Sequence, residues 1–145
     1  MHRLVIRTGV PADLDTLRDL YRRASLSNEG DRESLWAHPD ALELSGLAIE
    51  EGRARVAVAQ ERIVGFATLS GGELDDLFVD PERLRQGIGR ALVLDAVALA
   101  RGRGLERIEV TANDHALGFY ERLGFVLDGT AETAFGRGSR MHLDC

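Results

Sequence analysis

The chain has 145 residues, of which 44% are hydrophobic and 29% are charged, and its formal net charge at pH 7 is −6. This length suits one domain with a buried core, and the negative charge argues against nucleic acid as a main partner. The only cysteine is Cys145, and no stretch is apolar enough to span a bilayer or to act as a signal peptide. We therefore expect a single cytoplasmic domain over residues 1–145, with no membrane partner.

The first half of the chain predicts a strand, two helices and a hairpin. Residues 4–6 form a short apolar strand. Apolar residues at helical spacing follow it, namely Leu14, Leu17, Leu20, Tyr21 and Ala24. A second helix is expected from Asp31 to Leu42. Residues 55–59 and 63–69 are rich in strand-forming residues and are separated by a short polar segment, which predicts an antiparallel hairpin.

The central stretch leads from a strand to a helix through a short Arg-rich loop. The strand Glu73–Val79 is broken by Asp80-Pro81, and a helix from Ile88 to Ala100 follows. Gly87 and Gly89 at this junction let backbone N–H groups approach a ligand, and the positive end of the helix dipole favours an anion. A phosphate fits this pattern best, although two such glycines are also compatible with tight packing or a turn.

The next elements predict a parallel crossover. A strand from Glu106 to Thr111 follows the central helix, and a strand–helix–strand of this length is parallel and right-handed by default. Asn113 or Asp114 caps a further helix, which ends at Gly124.

The end of the chain predicts an antiparallel pair of strands. The pair is formed by Phe125–Leu127 and Arg140–Leu143, and the glycines of Gly136-Arg137-Gly138 predict the turn between them. Taken together, the elements give an α/β fold whose sheet is mixed in strand direction and carries helices on both faces.

The loop at Gly87 and the segment from Asn113 to Phe125 together resemble the Gcn5-related N-acetyltransferase (GNAT) family. The family signature is V-x-P-x-x-(R/Q)-x-x-G-x-G/A, then a strand, then N-x-x-A-x-x-x-Y-x-x-x-G-F. The matching residues are Val79, Pro81, Gly87, Gly89, Asn113, Ala116, Tyr120, Gly124 and Phe125. One position departs, because Leu84 stands where the family usually has Arg or Gln. The resemblance extends more loosely over nearly the whole chain and implies a single-domain fold, with a mostly antiparallel sheet around a central parallel β-α-β crossover.

The resemblance implies acetyl-CoA as the co-substrate and no metal. Backbone groups of residues 77–79 would pair with the pantetheine arm like an added strand, and the amides from Gln86 to Arg90 would hold the pyrophosphate. Asn113 would bind the pantetheine side, or serve only as a helix cap. Leu84 removes one donor to the pyrophosphate, so Arg85, Gln86 and Arg90 become the expected partners. The expected cofactor contacts are Leu77, Phe78, Val79, Arg85, Gln86, Gly87, Ile88, Gly89, Arg90, Asn113, Ala116 and Phe119.

Acetylation of an amine requires that the ammonium group lose a proton. Glu73 stands fourteen positions before Gly87, the offset of the catalytic glutamate in the histone-acetyltransferase branch of the family, and is the expected base. Strand alternation predicts one face that carries Glu73, Asp75, Leu77 and Val79. Two carboxyls on one face favour proton uptake by one of them. Asp75, or water without a side-chain base, is the alternative, and His115 is expected to be an exposed helix-start residue.

The departing thiolate needs a proton or a hydrogen-bond donor. Tyr120 occupies the family's tyrosine position and is the expected general acid, and the alternative is a buried aromatic residue one turn from Ala116. A phenol has a pKa near about 10 and a thiol near about 8.5, so donation is slightly uphill and the expected gain in rate is modest.

The main hypothesis is an acetyl-CoA-dependent N-acetyltransferase that moves an acetyl group by direct transfer to a primary amine of a small molecule or a peptide. The alternative is a non-catalytic acyl-CoA-binding or interaction module on the same fold, which Leu84 favours and Tyr120 and Asn113 disfavour. A nucleotide-binding domain is discounted because no Lys-Ser/Thr pair follows the glycines. The acceptor and the oligomeric state are left open, although homodimers are common in the family. In the family the first two helices form a wall of the acceptor site, where Trp36 is either a lining or a core residue.

Overall fold

The computed structural model describes residues 3–26, 46–133 and 136–145. The strands are β1 (Leu4–Thr8), β2 (Ala54–Ala59), β3 (Arg62–Ser70), β4 (Glu73–Val79), β5 (Arg107–Ala112), β6 (Val126–Thr133) and β7 (Gly136–Asp144). The α-helices are α1 (Leu14–Leu26), α2 (Leu47–Glu50), α3 (Ile88–Gly102) and α4 (Asp114–Arg122), with short 3-10 helices at Pro11–Asp13 and Pro81–Arg83. The predicted helix from Asp31 to Leu42, with Trp36, lies outside the described residues.

The seven strands form one sheet in the order β1-β2-β3-β4-β5-β7-β6. The pairs β1/β2, β2/β3, β5/β7 and β6/β7 are antiparallel, whereas β4 and β5 are parallel. Helix α3 connects the two parallel strands. The predicted mixed, mostly antiparallel sheet with a central β-α-β crossover is therefore confirmed.

The hairpin of β6 and β7 is longer than predicted. The predicted turn at residues 136–138 is wrong, because these residues belong to β7 and pair with residues 131–133 of β6. Glycine allows close packing at this position instead of a turn, since a Cβ on Gly138 would lie 2.8 Å from Cγ2 of Thr111.

By their contacts the residues divide into two compact units, of which the first comprises residues 1–68 and 76–92. The buried core residues that α1 shares with β2 and β3 are Leu17, Leu20, Val56 and Phe66. A Cβ added to Gly65, the neighbour of Phe66 on β3, would lie 2.9 Å from Cγ2 of Ile88 at the start of α3. Adjacent residues of a strand point to opposite faces, so α1 and α3 lie on opposite faces of the sheet, as predicted.

The second unit comprises residues 69–75 and 93–145. One face of its strands is apolar and buried, with Ile108, Val110, Ala112 and Met141 each at most 3% exposed. The residues between them carry the opposite, polar face, namely Glu109 and Thr111 on β5 and Arg140 and His142 on β7. The apolar face supplies the core of this unit, which leaves the polar face for chemistry.

Strict alternation along β4 ends at Asp75. The contacts across the β3–β4 hairpin are Ser70 with Asp75, Thr68 with Asp76 at 2.6 Å, and the stacked rings of Phe66 and Phe78 with centroids 5.7 Å apart. Ser70, Thr68 and Phe66 alternate along β3 and share one face, so the consecutive residues Asp75 and Asp76 both point to that face. Two consecutive residues on one face are the pattern of a β-bulge, in which one strand has one extra residue. The prediction that Leu77 and Val79 share a face with Asp75 is therefore wrong, whereas the alternation up to Asp75 keeps Glu73 on that face.

Gly65→Ala should destabilise the protein by about 1–3 kcal/mol, because the added methyl group overpacks the contact between β3 and α3. The methyl carbon would lie 2.9 Å from Ile88 Cγ2 and 3.0 Å from the carbonyl oxygen of Phe78. Gly102→Ala is the control, since a Cβ at this last residue of α3 meets nothing within 4 Å, and it should be neutral or stabilising by up to about 1 kcal/mol. Urea unfolding measures both changes, and a Gly65→Ala protein as stable as its parent would contradict the tight packing.

Candidate active site

The predicted pyrophosphate loop begins at Asp80, a 9%-exposed residue of the first unit. Its backbone N–H donates to the carbonyl oxygen of Val64 at 2.9 Å. Its carboxylate Oδ1 accepts from the N–H of Glu82 at 3.0 Å and from Nη1 of Arg23 at 3.1 Å. Arg23 comes from α1, so a helix far away in sequence anchors the loop. The sequence did not predict this role for Asp80 and Arg23, because nothing local links them.

The loop itself has a special backbone conformation. Gly87 has φ +79° and Arg85 has φ +65°, and a Cβ on Gly87 would meet nothing within 4 Å. A positive φ at a residue other than glycine costs roughly 1–2 kcal/mol, and such residues cluster at functional sites. The side chains of Arg85, Gln86 and Arg90 are exposed. The loop therefore presents donors to solvent, as a phosphate-binding loop requires.

The first amides of α3 point out of the helix start. The carbonyl oxygen of Gly87 accepts from the N–H of Ala91 at 3.0 Å, which is the first bond of the helix. The N–H groups of residues 88–90 precede that bond and have no acceptor within the helix. Ile88 is 4% exposed and fixes the helix start in the core. Leu84, which stands where the GNAT signature usually has Arg or Gln, is 58% exposed and offers no side-chain donor. The helix N-terminus and the neighbouring side chains can thus hold an anion in place of the missing donor.

The predicted pantetheine strand is the second half of β4. Its ladder with β5 pairs Glu73 with Glu109 and Leu74 with Val110. Residues 77–79 are half-buried, and the ring of Phe78 packs against Tyr21 at 4.9 Å between centroids. The main chain of residues 77–79 lies past Glu73 and Leu74, the two residues of β4 that are in register with β5.

In the second unit, Asn113 is confirmed as the cap of α4. Its side-chain oxygen accepts from the N–H of Ala116 at 3.0 Å, and its backbone is extended, as an N-cap requires. Asp114 belongs to the first turn, and His115 is exposed, as expected. Asn113 is itself exposed, so the cap leaves its amide nitrogen for a ligand.

Tyr120 is buried within α4, with 5% of its surface exposed. Its ring makes edge-to-face contacts with Phe119 and Phe125, with 5.1 Å between centroids in both cases. Burial raises the pKa of Tyr120 above its usual value. The pKa of Tyr120 therefore lies further above the pKa of the leaving thiol than that of an ordinary phenol does. This difference favours hydrogen-bond donation by the neutral phenol over full proton transfer.

Glu73, the predicted base, is held by Arg140 on the polar face of the second unit. Nη1 of Arg140 donates to Oε1 of Glu73 at 2.6 Å, and Nη2 donates to Oε2 at 3.1 Å. The same guanidinium donates to Thr111 at 2.8 Å and to Glu109 at 3.4 Å. The hydrogen bond to Glu73 is the largest cause that raises the pKa of Arg140. Both oxygens of Glu73 thus accept from Arg140, which fixes the orientation of the carboxylate.

A second hydrogen-bonded pair on this face joins His142 and Asp128. Nδ1 of His142 lies 2.8 Å and 2.7 Å from the two carboxylate oxygens of Asp128. Nε2 lies 3.8 Å from Oδ1 of Asp144. The His142 side chain is 17% exposed. No local sequence pattern predicts this pair, because it depends on the register of β6 and β7.

Within residues 3–26, 46–133 and 136–145, no group of three or more His, Cys, Asp and Glu side chains is placed to hold a metal ion. None of the helices in those ranges has the length and apolar character needed to cross a membrane.

A family model, described as "Acetyltransferase (GNAT) family", matches residues 14–125. The chain belongs to the GNAT family. The peptidyl-lysine N-acetyltransferase YjaB of Salmonella typhimurium is 42% identical over 73 residues, which cover 50% of this chain and 49% of YjaB. The glucosamine 6-phosphate N-acetyltransferase of Trypanosoma brucei brucei is 33% identical over 75 residues, which cover 44% and 51% of the two chains. The matched part of this GNAT chain thus spans about half the length of these curated relatives.

Two solved structures share the fold along nearly the whole chain. The solution structure of apo YjaB from Escherichia coli has a TM-score of 0.77 at 28% identity, and covers 98% of this chain and 97% of YjaB. The PaiA N-acetyltransferase of Thermoplasma acidophilum, solved in complex with coenzyme A, has a TM-score of 0.79 at 21% identity, and covers 99% of both chains. The GNAT fold is therefore established beyond the segments that match in sequence.

Asp80→Ala should loosen the loop, because it removes the acceptor for the Glu82 N–H and the buried partner of Arg23. The expected cost is about 1–3 kcal/mol of stability, with faster amide hydrogen exchange from Glu82 to Gly87. Asp19→Ala is the control, since Asp19 is the 67%-exposed second partner of Arg23 and should cost about 0–1 kcal/mol. Hydrogen exchange measured by mass spectrometry compares the two, and unchanged exchange in Asp80→Ala would show that the anchor does not order the loop.

Proposed function

We propose that this GNAT protein is an acetyl-CoA-dependent N-acetyltransferase that moves an acetyl group by direct transfer to a primary amine. The observation that carries the proposal is the open loop at Gly87. Its positive φ, the unobstructed space beside it and the start of a 15-residue helix combine where family membership expects the pyrophosphate. We also propose that residues 1–145 work as one N-acetyltransferase domain, since one family model spans residues of both compact units.

The co-substrate is held by main-chain groups and a few exposed side chains. Amides of residues 86–90 bind the pyrophosphate, and Arg85, Gln86 and Arg90 add side-chain donors in place of the family donor that Leu84 lacks. Residues 77–79 pair their main chain with the pantetheine arm, and Asn113 donates its amide to the arm. Ala116 and Phe119 line the same arm from α4.

The chemistry requires removal of a proton from the ammonium and stabilisation of the thiolate. The neutral phenol of Tyr120 donates a hydrogen bond to the departing sulfur, since burial keeps its proton in place. Glu73 as the base stays a prediction, and its bonds to Arg140 make a positioning role the competing hypothesis. The nucleophile is the amine itself, so no covalent enzyme intermediate is needed.

The acceptor is a small-molecule or peptide amine. The relatives are named for peptidyl-lysine and glucosamine 6-phosphate, both of which carry a primary amine. The protein is proposed to act in the cytoplasm, where its single cysteine, Cys145, stays reduced. A homodimer is proposed from the family alone, and sedimentation velocity measures it.

One observation favours a second candidate function, a non-catalytic acyl-CoA-binding module. Leu84 is 58% exposed at the position of the family donor, so one contact to the pyrophosphate is lost. The deciding experiment measures thiol release from acetyl-CoA, corrected for hydrolysis. The amines tested are spermidine, a peptide with an unmodified lysine, and glucosamine 6-phosphate. The chain contains no lysine, so lysine acetylation detected by mass spectrometry comes from the peptide and not from the enzyme. Binding of coenzyme A without transfer to any amine would support the module, and absence of binding would refute both functions.

Gly87→Asp should weaken coenzyme A binding, because it places a carboxylate among the amides that face the pyrophosphate. Loss of one charge-assisted contact costs about 1.5–3 kcal/mol, which raises Kd roughly 10- to 100-fold. Gly104→Asp is the matched control, because Gly104 has φ +76° and an equally open Cβ position after α3. Titration calorimetry measures both variants, and equal affinity of the two folded proteins would remove the loop from the binding site.

Tyr120→Phe keeps the ring and its contacts but deletes the hydroxyl. Single-turnover acetyl transfer should fall at least roughly tenfold, whereas acetyl-CoA affinity and Tm should stay near the parent values, because the bond to the sulfur strengthens only in the transition state. Since burial raises the Tyr120 pKa, the phenol should not titrate below its ordinary value of about 10 in the parent enzyme. A Tyr120→Phe enzyme with the parent single-turnover rate would make Tyr120 a packing residue.

A further inference from the structure

Three titratable side chains lie in one row across the polar face of the second unit. Glu73 of β4 is in register with Glu109 of β5, and Glu109 is in register with His142 of β7. Residues in register on neighbouring strands point to the same face, and adjacent strands are about 4.8 Å apart. The row therefore spans about 10 Å from Glu73 to His142.

The two carboxylates of this row are already engaged. Arg140 lies one row further along β7 and donates to both oxygens of Glu73 and to one oxygen of Glu109. It is held in turn by the hydroxyl of Thr111, its partner in register. One guanidinium thus takes one acceptor site on each oxygen of Glu73 and holds this carboxylate in place.

His142, at the other end of the row, has the opposite character. Both oxygens of Asp128 lie within 2.8 Å of Nδ1, and a carboxylate accepts, so Nδ1–H donates. In the neutral ring, this tautomer leaves the lone pair on Nε2. Nε2 is 3.8 Å from Asp144, beyond hydrogen-bond distance, and the Asp144 side chain is 80% exposed. A carboxylate that orients one ring nitrogen while the other keeps its lone pair is the arrangement of a general base.

We propose that His142 is the base that takes the proton of the acceptor ammonium, with Asp128 as its positioning residue. This inference rests on the proposed function and deepens it. Nε2 removes one proton from R–NH3+, and the resulting amine forms a C–N bond to the thioester carbonyl carbon. The C–S bond then breaks, and the second proton of the amine nitrogen ends on the thiolate. His142 releases its proton to water, so one acetyl amide, one thiol and one proton are produced.

The charges around His142 favour a cationic acceptor. Carboxylates face it from each neighbouring strand, with Asp128 on β6, Glu109 on β5 and Asp144 on its own strand. The cations on this face are Arg140, which is bonded to Glu73 and Glu109, and Arg107, which is in register with Asp144. Asp128 and Asp144 are 40% and 80% exposed, so an ammonium group can meet carboxylates on both sides of the ring.

The test is the pH dependence of kcat/KM with the best amine of the panel. His142→Gln should lower kcat/KM on the order of 10²-fold at neutral pH, since the base is gone. It should also remove the acidic limb of the pH profile, which is the fall of kcat/KM toward low pH. Asp128→Asn should lower kcat/KM, because the imidazole loses the carboxylate that holds the proton on Nδ1 and orients the ring. Glu73→Gln should keep the limb. His115→Gln, the same change at the exposed histidine of α4, is the matched control and should keep both rate and limb.

Chemical rescue separates a base from a structural residue. Added imidazole should restore part of the rate of a folded His142→Ala protein, and it should not affect Glu73→Gln. An unchanged pH profile in His142→Gln, or loss of the acidic limb in Glu73→Gln alone, would overturn the assignment and leave the acetyltransferase function standing. A parent protein that acetylates no amine would refute the proposed function itself, and the base role with it.

Discussion

The guanidinium of Arg140 sets the charge pattern of the polar sheet face in the second unit. It bonds Glu73, Glu109 and Thr111, which belong to two different strands, and it lies on a third. Without it, Glu73 and Glu109 would be like charges in register, which destabilises a strand pair. Its side chain is 31% exposed, so screening keeps its contribution to stability small. Its main effect is to fix the orientation of Glu73, whereas His142 in the same row is held by Asp128 instead.

In the loop at Gly87, some residues hold the backbone in place and others are open to a ligand. Arg85 holds a conformation that costs backbone energy, and the buried hydrogen bonds of Asp80 offset that cost. Because the anchor uses Arg23 of α1, the loop is tied to the core of the first unit and not only to its own strand. A loop held in this way exposes its amides without needing the ligand to order them.

Burial and neighbours, more than residue type, decide which groups of the second unit hold protons. Tyr120 keeps its proton because its environment is apolar, whereas Asp128 fixes the proton of His142 on Nδ1. The two groups that we propose as the donor to the sulfur and the acceptor of the ammonium proton thus both belong to the second unit.

The sequence by itself determined the order of the elements, the parallel crossover, the Asn113 cap and the Gly87 loop, because each signal lies within a few neighbouring residues. It also determined the family, through two short segments. Only the tertiary structure decided the contacts of the site. Arg140 and Glu73 are 67 positions apart, and Arg23 and Asp80 are 57 apart. The bulge that places Asp75 and Asp76 on one face depends on which residues of β3 lie opposite them. Hydrophobic periodicity specifies which face of a strand is buried, whereas strand register, which brings polar side chains together, is set by the packing of the whole sheet.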